Sequence, residues 1–265
     1  MKSCRNWICT PYGAAAELYF DDWTARFGRF ATPRYPNQLQ MDFRVHEFYG
    51  DQLEIEHRHR VAGLDGVVRV LGYRNRVNGG RFTDAVAAFQ ADRGKNATTC
   101  PGFSYGSGNS GAPDLCWVRQ PNVKYGIGVS LEQFVAKDLG VFFRGMISDG
   151  STEVYGYTST DRSVSLGAVA KGTLWHRDLD VTGIGVGVGW ISDAHAEYLR
   201  LGGIDGFVGD GTISPGAETV FEVFYSVNFL RAIWLTADFQ HLVHPAFNRD
   251  RGHVEVLGGR IHAEF

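Results

Sequence analysis

Apolar and polar residues alternate with a period of two through most of the chain, a pattern of β-strands with two unlike faces rather than of helices. Between 123 and 134, Tyr125, Ile127, Val129 and Leu131 share one face, and Lys124, Gly126, Gly128, Ser130 and Glu132 share the other. From 219 to 229 the split sets Phe221, Val223, Tyr225, Val227 and Phe229 against Glu222, Phe224, Ser226 and Asn228. From 233 to 243 it sets Ile233, Leu235, Ala237, Phe239 and Val243 against Trp234, Thr236, Asp238 and Gln240, with His241 as a polar intruder. Each run is about 10 residues, the length a tilted strand needs to cross a hydrocarbon layer. Extended along the chain, the pattern predicts eleven strands: 13–20, 23–31, 51–61, 66–78, 123–136, 139–148, 163–176, 181–192, 219–229, 233–243 and 253–265. Helical spacing is confined to 83–91 and 194–201, and no βαβ rhythm is present, which disfavours an α/β fold.

The connections alternate between short and long. Segments 21–22, 62–65, 137–138, 177–180 and 230–232 are tight turns, and between them come 32–50, 79–122, 149–162, 193–218 and 244–252. A soluble sandwich has no reason to gather its long loops at one end, whereas an outer-membrane barrel has short periplasmic turns and long extracellular loops. The expected fold is therefore all-β, an antiparallel transmembrane β-barrel occupying 13–265, with 1–12 as an N-terminal stub. Residues 1–12 show no apolar signal-peptide core. Eleven strands are an odd number, whereas single-chain bacterial barrels are even-numbered. Both features lead to the expectation that strands and a signal segment precede Met1.

Composition narrows the partners. A net charge of −3 and a pI near 6.3 offer no basic surplus for nucleic acid. Mean hydropathy is −0.17, and no apolar run approaches the roughly 18 residues of a transmembrane helix. The 34 glycines are spread through apolar runs rather than gathered in linkers, as β-rich walls allow. Four cysteines fall as Cys4/Cys9 and Cys100/Cys116, without zinc spacing; a Cys100–Cys116 disulfide is plausible in an oxidising compartment.

Several segments in order resemble the carbohydrate-selective porin family of the OprB type. They are Asp22-Trp23-Thr24 with Arg26-Phe27-Gly28-Arg29-Phe30, then Tyr49 to Glu54, then Leu71-Gly72-Tyr73-Arg74-Asn75-Arg76. The set continues through Lys124 to Gly128 with Glu132-Gln133, Ser148-Asp149-Gly150, Gly202-Gly203, Gly209-Asp210-Gly211, Glu222 to Tyr225, and a closing strand ending on Phe265. The resemblance implies a barrel of about 16 strands, of which this chain would be the C-terminal part. It also implies the bacterial outer membrane as location, small carbohydrates as permeants, outer-membrane lipid and lipopolysaccharide as surroundings, and no cofactor. Oligomeric state stays open.

A sugar-conducting lumen needs charged and hydrogen-bonding side chains at its narrowest part. Glu54, Glu56, Arg58 and Arg60 share one face of their strand, opposite Leu53, Ile55 and Val61. Arg74 and Arg76 are expected to continue this ladder on the next strand, and Lys124, Glu132, Arg144, Lys171 and Asp238 complete the expected lining. Opposite charges there would leave a polar, nearly neutral path suited to uncharged sugars. The loops 79–122, with Tyr105 and Trp117, and 193–218, with His195, Tyr198 and Asp210, could fold inward or simply cover the surface.

Enzyme-like fragments are weak. His57 and His59 lack further ligands at metal spacing, and the glycines from Gly183 to Gly189 alternate through a strand with no following helix. His241 and His244 do not form H-E-x-x-H, and no nucleophile elbow is visible. No catalytic set emerges, so the expected class is not an enzyme. The competing readings are a porin fragment that cannot conduct, a β-barrel enzyme, and a soluble sugar-binding β-protein.

Overall fold

The computed structural model describes residues 13–36, 38, 40–93, 111–156, 159–206 and 208–264. Residues 1–12, Cys100, Tyr105 and Phe265, which entered the expectations above, lie outside them. Strands β1 (Gly13–Phe20), β2 (Trp23–Phe30), a short β3/β4 pair (Thr32–Pro33, Met41–Asp42), β5 (Tyr49–Val61) and β6 (Leu64–Gly79) come first. Helix α1 (Phe82–Ala91) precedes β7 (Gln120–Ala136), β8 (Leu139–Ser148), β9 (Arg162–Lys171) and β10 (Val181–Trp190). Helix α2 (Asp193–Arg200) precedes β11 (Glu218–Leu230), β12 (Ile233–Val243) and β13 (His253–Ala263).

Apart from β3 and β4, the strands form one 11-stranded antiparallel sheet in chain order, open, with β1 and β13 at its edges. Each strand pairs with its predecessor because tight turns or loops return the chain at once. The β5–β6 turn is only Ala62-Gly63, both at positive φ (+51° and +80°), the geometry of the favoured two-residue hairpin.

The register defines two unlike faces. One row across the sheet reads Thr24, Glu56, Arg69, Ser130, Arg144, Ser165 and Gly187. The row beside it reads Ala25, Ile55, Val70, Val129, Gly145, Val164 and Val188. Large apolar side chains of the second face, among them Leu53, Ile127, Phe143, Leu166, Ile184 and Leu257, are exposed. A water-soluble sheet would bury such a face; a bilayer-facing wall presents it to acyl chains.

The buried apolar core lies at the long-loop end. Phe82 and Ala85 of α1 meet Tyr198 and Leu199 of α2, together with Leu115, Val208, Ile213 and Phe247. Ser192 caps α2 by accepting a hydrogen bond from the His195 amide at 3.1 Å. This loop cap covers the polar face: Val77, Asn122 and Lys124, all on that face, are buried beneath it. The described part of the cap therefore lies over the polar face of the sheet.

One expected strand is shorter than its alternation suggested. Strand 163–176 ends at Lys171, after which Gly172–Trp175 turns as a 3-10 helix and His176 takes φ +63°. The Asp180 carboxylate pulls the chain round. It accepts hydrogen bonds from the Tyr225 hydroxyl at 2.6 Å and the Asn228 amide at 2.8 Å, and pairs with Arg177. A side chain at Gly172 would collide with the Arg177 carbonyl, so the turn requires glycine there.

Candidate functional site

The polar face of the wall carries the site. Its centre is Glu56, which is only 2% exposed because three arginines surround it. Arg26 of β2 (2.9 Å), Arg58 of β5 (3.0 Å) and Arg69 of β6 (2.9 Å) all reach its carboxylate. Arg26 also bonds Glu54 at 2.6 Å, and Arg69 also bonds Glu132 of β7 at 3.1 Å. The result is a charge ladder across four strands, its ions held by mutual pairing rather than by apolar burial. Nearer the short turns, Arg60 pairs with Asp65 at 2.6 Å.

A recess of about 1270 Å³ opens along this face toward the short-turn end, lined by Arg58, Arg60, Arg69, Glu132, Arg144 and Lys171 among others. Phe142 lies in its wall beside Arg144, whose guanidinium carbon sits 5.2 Å from the ring centroid. Phe142 lies against the wall because Gly167 leaves room; a Cβ there would come within 2.6 Å of its ring. Phe224 rests on Gly183 in the same manner. Gly167 of β9 and Gly183 of β10 thus make the wall thin and let two aromatic rings lie over it. Farther round, Gln240 bridges Glu222 (3.3 Å) and Asp238 (3.2 Å).

Most of the expected lining residues fall on the polar face. Glu54, Glu56, Arg58, Arg60, Glu132, Arg144, Lys171 and Asp238 share it by register. Arg74 and Arg76 do not. Arg74 pairs across from Asp51, and Arg76 across from Tyr49, on the face of Leu53 and Ile55. The physical reason is the even-numbered turn at Ala62-Gly63, which sets even positions of β5 beside odd positions of β6, so Arg69 takes the place expected for Arg74.

Lys124 is on the expected face but sealed under the cap. Its ammonium donates to the Thr152 carbonyl at 2.8 Å and lies 3.5 Å from Asp149 and 3.8 Å from Asp161. Fully buried His195 shares Asp161 at 3.0 Å through Nδ1, while its Nε2 lies 3.3 Å from Asp205 without hydrogen-bond alignment. Phe82 stacks on its ring at 4.2 Å. Burial alone would raise the Asp161 pKa, but the His195 hydrogen bond and charge, the Ser192 amide and Lys124 together hold it below the ordinary range. Burial, with Glu153 adding, pushes Asp205 up to about 6 against the pull of His195. Glu153 makes a two-pronged pair with Arg119 at 2.8 and 2.9 Å. Cys116, in the 3-10 turn beside this core, is disulfide-bonded.

His57 and His59 lie on the apolar face, where Trp23 stacks on His57 at 4.2 Å and His59 bonds Gln133 at 2.9 Å. Arg26, Arg69, Phe142 and Phe224 are the site residues that sequence reasoning left out. All four sit at positions where strand alternation places a polar-face residue.

Residues 4–265 match the profile of the family described as carbohydrate-selective porin, OprB family. Among solved structures, the high-pH structure of Pseudomonas putida OprB superposes with a TM-score of 0.73 at 17% identity. That match covers 98% of this chain and 60% of that one, so the chain spans about three fifths of its length. The toluene transporter TodX of P. putida gives a TM-score of 0.36 at 12% identity, over 94% of this chain and 71% of that one. No curated protein matches.

Proposed function

The chain belongs to the carbohydrate-selective porin family, and from that membership we infer that it walls a passive diffusion path for small carbohydrates, such as monosaccharides, across the bacterial outer membrane. The observation that carries this reading is the unlike pair of faces: a continuous charge ladder centred on Glu56 on one, exposed aliphatic rows on the other. Sugar hydroxyls both donate and accept, so a lining that alternates guanidinium donors with carboxylate acceptors can exchange hydrogen bonds with a passing sugar in place of water. Phe142 and Phe224 present ring surface to the same path, where the C–H face of a pyranose can rest. The loop cap narrows the outer end. No covalent chemistry and no cofactor are required, because the solute moves down its own gradient.

The test is liposome swelling by the refolded full chain, with insertion and β-rich circular dichroism verified first. Swelling that is fast for a monosaccharide and falls off through di- and trisaccharides supports the reading. An inserted, folded chain that leaves vesicles impermeable to monosaccharide overturns it for this chain.

A further inference from the structure

The apolar face carries one cluster that conduction does not use. At its long-loop edge Arg29, Asp51 and Arg74 lie in register on β2, β5 and β6. Arg29 grips Asp51 with two prongs, at 2.7 and 2.8 Å, and Arg74 reaches the same carboxylate at 2.9 Å. Both guanidinium groups lie over the Tyr49 ring, at 4.1 and 5.4 Å from its centroid. Tyr125 pairs across from Arg74, and exposed Arg76 pairs across from Tyr49. Two arginines thus share one carboxylate and a third, Arg76, lies beside them, which leaves the cluster with two more positive than negative charges on a largely apolar face. Charge on a bilayer-facing surface is costly at mid-depth and nearly free at the interface, so the row marks where hydrocarbon gives way to headgroups.

We propose that Arg29, Arg74 and Arg76 form a docking site for the phosphomonoester headgroup of an outer-leaflet lipid. The inference rests on the membrane-spanning reading above. Charge complementarity selects the occupant. Planar guanidinium forks match phosphate oxygens, Tyr49 holds two of the forks in place, and acyl chains of the same lipid would continue down the exposed rows of Leu53, Ile55 and Val70. Asp51 orients the arginines rather than cancelling them.

The experiment measures binding of diphosphorylated lipid A and its dephosphorylated counterpart to the full chain in detergent micelles. Arg74→Gln/Arg76→Gln, which leaves the Arg29–Asp51 pair intact, is expected to weaken binding of the phosphorylated lipid about tenfold or more. It should leave the dephosphorylated lipid unaffected. Lys137→Gln/Arg231→Gln, on the short-turn rim, should change neither, and Arg74→Lys/Arg76→Lys should recover part of the loss. Equal binding by the parent and R74Q/R76Q, or no preference for the phosphorylated lipid, overturns the site. Competition by inorganic phosphate at the concentration of the lipid phosphate overturns the lipid as occupant. Failure of the membrane reading shows separately, as absence of quenching of Trp23 and Trp190 by brominated acyl chains in reconstituted vesicles.

Discussion

The wall and the loop cap obey opposite rules of burial. In the wall, Leu257, Ile261 and Leu166 are exposed while Glu56 is enclosed; in the cap, Phe82, Tyr198 and Leu199 are enclosed beneath polar surface. The wall is held by backbone ladders and by cross-strand pairs on its polar face, so its apolar side chains are free to meet lipid. The cap is held as soluble domains are, by a small apolar core and a buried polar network. Mutations should therefore be read differently in the two regions, even when the residue type is the same.

The largest contrast is expected from matched leucines. Leu199→Ala in the cap removes a fully buried side chain from between the two helices and should cost about 2–5 kcal/mol of local stability. Leu257→Ala on the wall, at 85% exposure, should cost well under about 1 kcal/mol in detergent. Hydrogen exchange of the α2 amides and the wall amides in both variants checks this. Equal loss of protection at the two sites would remove the distinction.

A smaller effect tests how the thin part of the wall is built. Gly167→Ala would drive its Cβ to 2.5 Å from the Ile184 carbonyl and 2.6 Å from the Phe142 ring, so strands β9 and β10 must separate. Overpacking of this kind costs roughly 1–3 kcal/mol. Gly183→Ala meets the Phe224 ring first, and that ring can swing away, so it should cost less. Urea midpoints of the two variants in one detergent should differ in that order; the reverse order would mean that the rings, not the backbone, limit the approach of the strands.

The cap should respond to pH through two buried carboxylates. Asp205 has a folded pKa of about 6 against an ordinary 3.8, so the folded state holds a proton that the unfolded chain releases. That contribution is full below the unfolded value and lost as pH rises through the folded one. Between pH 5 and 7 it amounts to about 1 kcal/mol. Asp161 runs the other way, with a depressed pKa whose stabilisation is present above the ordinary carboxylate value and fades in stronger acid. Rate-corrected exchange of the α2 amides should thus slow from pH 7 to pH 5 in the parent and change little in Asp205→Asn. A pH-independent parent would show that Asp205 does not titrate in this window.

Much of the wall was legible beforehand because strand periodicity survives any tertiary context. The strands β8 (Leu139–Ser148) and β12 (Ile233–Val243) fall where alternation puts them, and both helices lie within one residue of the expected bounds. The cap was not legible. Its Asp161–His195–Asp205 network joins two segments separate in sequence, 149–162 and 193–218, and no spacing rule brings such residues together. The case of Arg74 and Arg76 is different, since their strand has apolar residues on both parities and the decisive signal was the turn. Any even-residue turn after Val61 sets Glu54 and Glu56 beside odd positions, which points to Arg69 and excludes both arginines. The closing of β9 by Asp180 was hidden for the cap's reason: its partners Tyr225 and Asn228 lie a whole hairpin away.

The finest contrast lies within one strand. Phe221 and Phe224 both belong to β11, three residues apart, and therefore face opposite sides of the wall. Phe221 stands in the outer row across from His241, whereas Phe224 lies over Gly183 on the polar face, across from Asp238. Leucine at either position preserves apolar volume but removes the flat ring. If the ring at 224 supports a passing pyranose, Phe224→Leu should lower monosaccharide flux about two- to fivefold, as loss of a contact of about 0.5–1 kcal/mol would. Small-ion conductance, which has no use for a stacking surface, should stay close to the parent. Phe221→Leu should leave both unchanged, because that ring faces away from the polar side. Equal flux through the two variants would mean that sugars cross by hydrogen-bond exchange along the Glu56 ladder alone, with the aromatic rings serving only to fill the space above the glycines.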